Sequence, residues 1–302
     1  MANQPPRGHN PQPWWIFQGS GTQAPGNRPP APVLEHLTAE KAPGWRQFTS
    51  ARKRQRGAHF EPERHEIERV NAALLLRRPL LVTGRPGTGK TSLTYAIAYE
   101  LGLGEVLRWS ITSRTTLQDG LYHYDAIARL QDTPRFGDQQ GRRPAIGDYL
   151  KLGPLGTAFA GLQVDGSLYP RVLLIDEIDK SDIDLPNDLL HIFEEGEFEI
   201  PELKRDSEPV HQVAPWDGGA PVRIEHGLVP CRAFPVVVMT SNGEREFPPA
   251  FLRRCLQLEL RRPDKEKLRR IVEARLQPDE GDRDKVGAVL DLFWEHAKTK
   301  DL

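Results

Sequence analysis

The sequence predicts an α/β fold, a three-layer αβα domain built on a central parallel sheet and followed by two short amphipathic helices. Three observations carry this. Short apolar runs of strand length, such as Val172-Leu173-Leu174-Ile175 and Val236-Val237-Val238-Met239, recur along the chain. Segments with apolar residues at helical spacing separate them, and strands alternating with helices indicate a parallel sheet covered on both faces. A glycine-rich loop, Gly84 to Thr91, stands between the first apolar run and the first strongly helical segment.

Taken in order, residues 1–56 are dominated by Pro, Gly, Asn and Gln. Such a composition buries too little apolar area to offset chain entropy, so a largely disordered tail is expected. Two features stand out in it. Trp14-Trp15-Ile16-Phe17-Gln18-Gly19 is an aromatic cluster that either docks on the chain's own globular part or binds a partner. Arg52-Lys53-Arg54-Gln55-Arg56 reads as a solvated basic linker rather than a nucleic-acid contact, because it lacks interleaved aromatics.

The globular pattern begins with a helix over Glu61 to Arg77, with Ile67, Val70, Ala73 and Leu74 at helical spacing. Pro79 to Thr83 is the first strand, and Ser92 to Leu101 continues the helix after the loop. Glu105 to Ser110 is a second strand. Thr112 to about Gly156 is polar and turn-rich. Arg171 to Ile175 is the third strand, and Asp182 to Glu195 a helix with Leu185, Leu189, Leu190 and Phe193 on one face. Ile200 to Pro230 is a Pro/Gly-rich insertion. Val236 to Thr240 is the fourth strand and Cys255 to Leu260 the fifth. Lys265 to Leu276 and Asp284 to Lys298 read as amphipathic helices. The expected organisation is a tail over 1–56, a globular α/β domain over 57–262 and a short helical segment over 263–302.

The loop Gly84-Arg85-Pro86-Gly87-Thr88-Gly89-Lys90-Thr91 is a complete G-x-x-x-x-G-K-[ST] phosphate-binding motif. Glycines let backbone N–H groups curl around phosphate oxygens, and the following helix N-terminus adds partial positive charge. Gly84 to Ser92 are therefore expected to bind the nucleotide, with Lys90 exposed and reaching the phosphates and the Thr91 hydroxyl on Mg²⁺. Asp176 and Glu177 directly follow the third apolar run. Asp176 is placed to hold the metal shell, and Glu177 to polarise an attacking water as general base. Nearby Asp179, Asp182 and Asp184 read as solvated. Asn242, after the fourth strand, is either a γ-phosphate or water contact or a turn cap. Arg253 and Arg254 are either a solvated pair or a guanidinium aimed across a subunit boundary.

Together GRPGTGKT, VLLIDEID, VMTSN and PPAFLRRC, in that order, resemble the AAA+ ATPases. Within them the chain is most similar to the MoxR group, through Leu185-Pro186-Asn187-Asp188-Leu189-Leu190-His191-Ile192-Phe193-Glu194-Glu195-Gly196 and through Gly153-Pro154-Leu155. The resemblance covers about Phe60 to Leu302. It implies an AAA+ P-loop NTPase fold, ATP with Mg²⁺, Asn242 as sensor 1, and Arg254 as arginine finger with Arg253 as runner-up. It also implies hexameric rings acting like chaperones on partner proteins, often ones bearing a von Willebrand A domain. The WWIFQG segment resembles tails of MoxR-like ATPases from bacterial multi-protein conflict systems. One departure is that the family's small helical lid, which falls over 263–302, shows no sensor-2 arginine motif: either the lid is partial, or that role is absent or supplied otherwise. Adenine rather than guanine follows from the family, there being no N-K-x-D motif.

Bulk properties narrow the function class. Net charge is −1 over 302 residues, so neither a nucleic-acid motor nor a polybasic membrane protein is indicated. Cys231 and Cys255 form no zinc pattern, which suits a reduced, cytoplasmic protein. No apolar run approaches the about 18 residues of a membrane helix. Two readings remain: an ATP-hydrolysing ring that remodels a partner protein, or an ATP-dependent switch or scaffold with little turnover.

Overall fold

The computed structural model describes residues 57–58, 60–135, 144–276, 287–291 and 294. The WWIFQG cluster, the basic run and most of the expected helix from Asp284 to Lys298 lie outside the described residues.

Helix α1 (Arg64–Leu76) opens with a capping box between Glu63 and Glu66 and stops at Arg77, which is left-handed. Strand β1 (Leu80–Thr83) feeds the glycine loop and helix α2 (Lys90–Glu100), and β2 (Leu107–Ser110) follows. The described part of the stretch from Thr112 to Gly156 is more ordered than its polarity suggests. It forms α3 (Leu117–Leu121), β3 (Tyr122–Tyr124), α4 (Ala126–Arg135), β4 (Leu150–Leu152) and α5 (Pro154–Ala160), with β3 and β4 antiparallel. These pieces are short and cap each other locally. Thr116, for example, exchanges hydrogen bonds with Asp119 across the first turn of α3. The hairpin of β5 (Leu162–Val164) and β6 (Ser167–Tyr169) leads to β7 (Val172–Asp176), buried along its whole length.

After β7, α6 (Leu185–Glu195) starts three residues later than the expected Asp182, at the first residue of its apolar face, and the Asp182 carboxylate accepts the Leu185 N–H. The Pro/Gly-rich insertion is a second sheet. Strands β8 (Glu197–Glu199), β9 (Val210–Val213), β10 (Val222–Glu225) and β11 (Leu228–Pro230) pair antiparallel in the order β8-β11-β10-β9, with the short helix α7 (Pro201–Lys204) between β8 and β9. Its turn residues hid it. The β10–β11 turn places His226 and Gly227 at positive φ, and the alternation in each strand is only three or four residues long. The chain then returns through β12 (Val236–Ser241), α8 (Pro249–Arg254), β13 (Leu256–Glu259) and α9 (Lys265–Leu276).

The five apolar runs form one wholly parallel sheet, ordered β13-β1-β12-β7-β2. Its two faces bury different residues of the same strands. Leu81, Leu173, Ile175, Val237 and Met239 pack on one side; Leu80, Val82, Val238 and Leu258 pack on the other. That alternation makes the domain three-layered and leaves the strand ends as the place for polar groups.

Candidate functional site

The carboxyl ends of β1, β7 and β12 converge on one point. From β1 the chain turns into the glycine loop at Gly84, where φ is 149° and an added Cβ would lie 2.5 Å from the Leu260 carbonyl oxygen. Gly89, at φ 96°, precedes α2 and lets the loop close onto the helix N-terminus. Lys90 is not exposed as its motif position suggests; it is 8% exposed. Its ammonium group donates to the carbonyls of Gly84 (2.6 Å) and Arg85 (3.0 Å) and to Asn242 Oδ1 (2.8 Å). Three donors thus meet three acceptors, which is how a buried lysine keeps its charge. Burial lowers its pKa, and the nearby carboxylates of Asp179, Asp176 and Glu177 oppose that shift.

Asp176 closes β7 with its carboxylate inside the cluster. One oxygen accepts the hydroxyls of Thr240 (2.7 Å) and Thr91 (3.3 Å). The other accepts Nε (3.1 Å) and Nη2 (2.6 Å) of Arg108 on β2. The Thr91–Asp176 contact brings the phosphate loop and the acidic pair together. Glu177 follows at φ 62°, a conformation non-glycine residues seldom adopt. Its N–H is fixed by the Thr240 hydroxyl at 2.9 Å, and its carboxylate holds Lys180 at 2.8 Å. That hydrogen bond raises the Lys180 pKa.

Asn242 joins these groups. Its Oδ1 faces Lys90, and its Nδ2 lies 3.5 Å from Glu177 Oε1. It is neither a helix cap nor a free turn residue. The turn that carries it is held by Asp179, whose Oδ2 accepts the N–H groups of Asn242 (2.9 Å) and Glu244 (3.1 Å). Asp179 is therefore not solvated, being 4% exposed. Asp182 and Asp184 are exposed as expected.

A cleft of about 780 Å³ opens over this cluster. Pro86 to Ser92, Asp176, Glu177 and Asn242 line it, so most of the motif residues meet in one cavity. Gly84 and Arg85 do not line it and act through the carbonyls that hold Lys90. Arg254 lies away from it. That side chain pairs with Glu194 of α6 and is about half exposed. Helix α9 walls the far side, tied to the segment that leads into α1 by Lys267 to Glu63 and by Arg270 to Glu61, both at 2.9 Å. Phe60, Pro263, Leu268 and Ile271 make that end apolar. The residues that sequence motifs missed are Arg108, Thr240, Asp179, Lys180 and Lys267 of α9. Arg108 showed only as a charge alternating with apolar residues in a strand; the others carried no separate signal.

The arrangement offers backbone N–H groups and a buried ammonium for a polyphosphate, and hard oxygen donors for a divalent cation. It also holds a carboxylate and an amide side by side. Residues 79–255 match the AAA domain (dynein-related subfamily). No curated protein matches the chain. Among solved structures, a candidate ATPase from Cytophaga hutchinsonii aligns at 15% identity with a TM-score of 0.46, covering 78% of this chain and 60% of that one. This chain thus spans less than two thirds of that protein's length. The complex of subunits BchI and BchD of magnesium chelatase, built on a cryo-EM reconstruction, aligns at 14% identity with a TM-score of 0.39, covering 76% and 72%. No helix among the described residues is long and apolar enough to cross a membrane. With more than half its length matched by that one profile, on a parallel sheet whose carboxyl edge carries the phosphate loop, the chain belongs to the dynein-related subfamily of AAA domains.

Proposed function

We propose that this protein binds ATP with Mg²⁺ in the cleft and hydrolyses it, as a MoxR-like AAA+ ATPase that assembles into a ring and remodels a partner protein. One observation carries the catalytic reading. Lys90, Asn242 and Glu177 form a continuous hydrogen-bonded line across the cleft floor, beside the Thr91–Asp176 contact.

In this reading the loop N–H groups and Lys90 bind the phosphates, Lys90 exchanging a carbonyl for a phosphate oxygen. Thr91 and Asp176 supply the hydroxyl and carboxylate that suit Mg²⁺, which keeps most of its other positions for phosphate and water. When bound, the metal neutralises charge developing on the phosphates. Glu177 accepts the proton of the attacking water, and Asn242 orients that water and the terminal phosphate. The apolar end near Phe60, Leu268 and Ile271 suits a purine base. The MoxR assignment rests on the helix run from Leu185 to Gly196 and on Gly153-Pro154-Leu155. A von Willebrand A-domain protein or another conflict-system component is the partner it suggests.

Ring formation is supported by Arg254. It stands on α8, half exposed and remote from its own cleft, so it suits a neighbour's nucleotide. Mixing variants tests this. Arg254→Ala alone should lose about a thousandfold or more in turnover with ATP affinity much less changed. Adding Glu177→Gln subunits should restore activity, because some interfaces then pair an intact Glu177 with an intact Arg254. Two folded, co-assembling variants that never recover activity would remove Arg254 from the site and make Arg253 next to test. One observation favours the low-turnover switch. Both Glu177 carboxylate oxygens are engaged, one by Lys180 and the other by Asn242, so one partner must let go before the group can meet a water.

A further inference from the structure

We infer that Arg108 competes with the divalent cation for Asp176, so that metal enters the site together with nucleotide and not ahead of it. The inference rests on the reading of Asp176 as a metal carboxylate. Arg108 lies on β2, the edge strand of the parallel sheet, in register with Leu174. Leu107 and Trp109 point into the core, which leaves Arg108 and Ser110 on the open face. From there the guanidinium runs along the strand to the Asp176 tip. Both Nε and Nη2 donate to one oxygen, at 3.1 and 2.6 Å.

The carboxylate oxygens are then fully engaged. Oδ1 takes the Thr240 and Thr91 hydroxyls, and Oδ2 takes the two arginine donors. A carboxylate offers about four lone-pair directions, so a cation must displace a donor or share the charge with a guanidinium already on it. Sharing is unfavourable because the Asp176 side chain is only 8% exposed and solvent screens the pair poorly. Arg108 is free to leave, since its own side chain is 50% exposed and it lines the cleft. A polyphosphate reverses the balance. It brings several negative charges into the cleft, holds the cation itself, and gives the guanidinium another anion to pair with.

Binding of Mn²⁺ to the nucleotide-free full-length protein, followed by electron paramagnetic resonance, tests this without relying on turnover. Arg108→Gln should bind Mn²⁺ at least about tenfold tighter than the wild type. Adding Asp176→Asn to that variant should abolish the gain. Arg108→Lys, which keeps the charge but loses the fork, should fall between, and serves if the glutamine variant does not fold. Folded Arg108→Gln protein that binds Mn²⁺ no more tightly overturns the competition. If in addition Asp176→Asn leaves ATP-dependent Mn²⁺ binding unchanged, the metal reading of Asp176 falls with it; if that binding is lost, only the role of Arg108 falls.

Discussion

The two ends of the parallel sheet are built from the same strands and do opposite things. At the carboxyl end, β7 and β12 finish in Asp176 and in Thr240 and Ser241, and the cleft there is crowded with charge. At the amino end, Leu80, Val236 and Val238 line a cavity of about 330 Å³ with Leu103, Ile97 and Phe234. The buried charge near that end is structural: Arg171, 6% exposed, is held by Asp217 at 2.7 Å and the Glu105 carbonyl at 3.3 Å. Strands β1, β7 and β12 are apolar until their last one or two residues, so their polar chemistry collects where they end. Parallel strands bring all those ends to one edge, beside the positive end of α2. The comparison therefore predicts that substitutions at the carboxyl end change chemistry, whereas those at the amino end change stability.

The largest effect is expected at Lys90. Lys90→Ala should abolish measurable ATP binding, a loss of about a hundredfold or more in affinity. Because Lys90 is buried among the Gly84, Arg85 and Asn242 acceptors, the variant should also lose about 1–3 kcal/mol of stability. Calorimetry at a temperature where circular dichroism reports folded protein reads the first effect. Unchanged affinity there would remove the phosphate-loop assignment.

Glu177→Gln comes next. It keeps the shape and the contact with Asn242 but cannot take a proton. ATP should bind normally, with turnover down about a hundred- to ten-thousandfold. The measurement is steady-state turnover beside a binding isotherm. A rate near wild type would make Glu177 a bystander.

These two residues were legible in the sequence, and so was the sheet, because each rests on a local signal. An apolar run followed by a glycine loop or an acidic pair is written in consecutive letters. The five runs became five parallel strands within one or two residues of their patterns. The burial of Lys90 was not legible, because it depends on Asn242, 152 residues away. Nor was Asp179, whose partners lie 63 and 65 residues on. In the letters it is one more aspartate in an acidic turn. The second sheet was missed for a related reason. Strands of three or four residues give too few alternations, and all its Gly and Pro residues but Pro230 lie between the strands.

Asp179 gives a smaller, sharper test of the carboxyl end. Asp179→Ala should loosen the Asn242 turn and misplace the amide, cutting turnover by about ten- to a hundredfold while ATP affinity changes by less than about threefold. Asp179→Asn keeps an acceptor for both N–H groups and should recover most of the rate. A merely structural role would lower stability without separating rate from affinity. Equal loss in both variants would argue that the charge, acting through Lys90, matters more than the turn.

The smallest effect on chemistry is expected at the other end of the same sheet. Leu103 is 8% exposed, packs with Ala98 and Val172, and lines the amino-end cavity. Leu103→Ala enlarges a cavity that is already present. The walls there include flexible side chains such as Leu101 and Arg77, which can relax into the space. The cost should therefore fall near the low end for such truncations, about 2 kcal/mol. Turnover at a temperature below the transition should stay within about twofold of wild type, because Val172 reaches Asp176 only through a rigid, fully buried strand. Chemical denaturation and steady-state rate, measured on the same preparation, check both halves. A large loss of rate with the fold intact would show that the two ends are coupled through β7, and the division drawn between them would not hold.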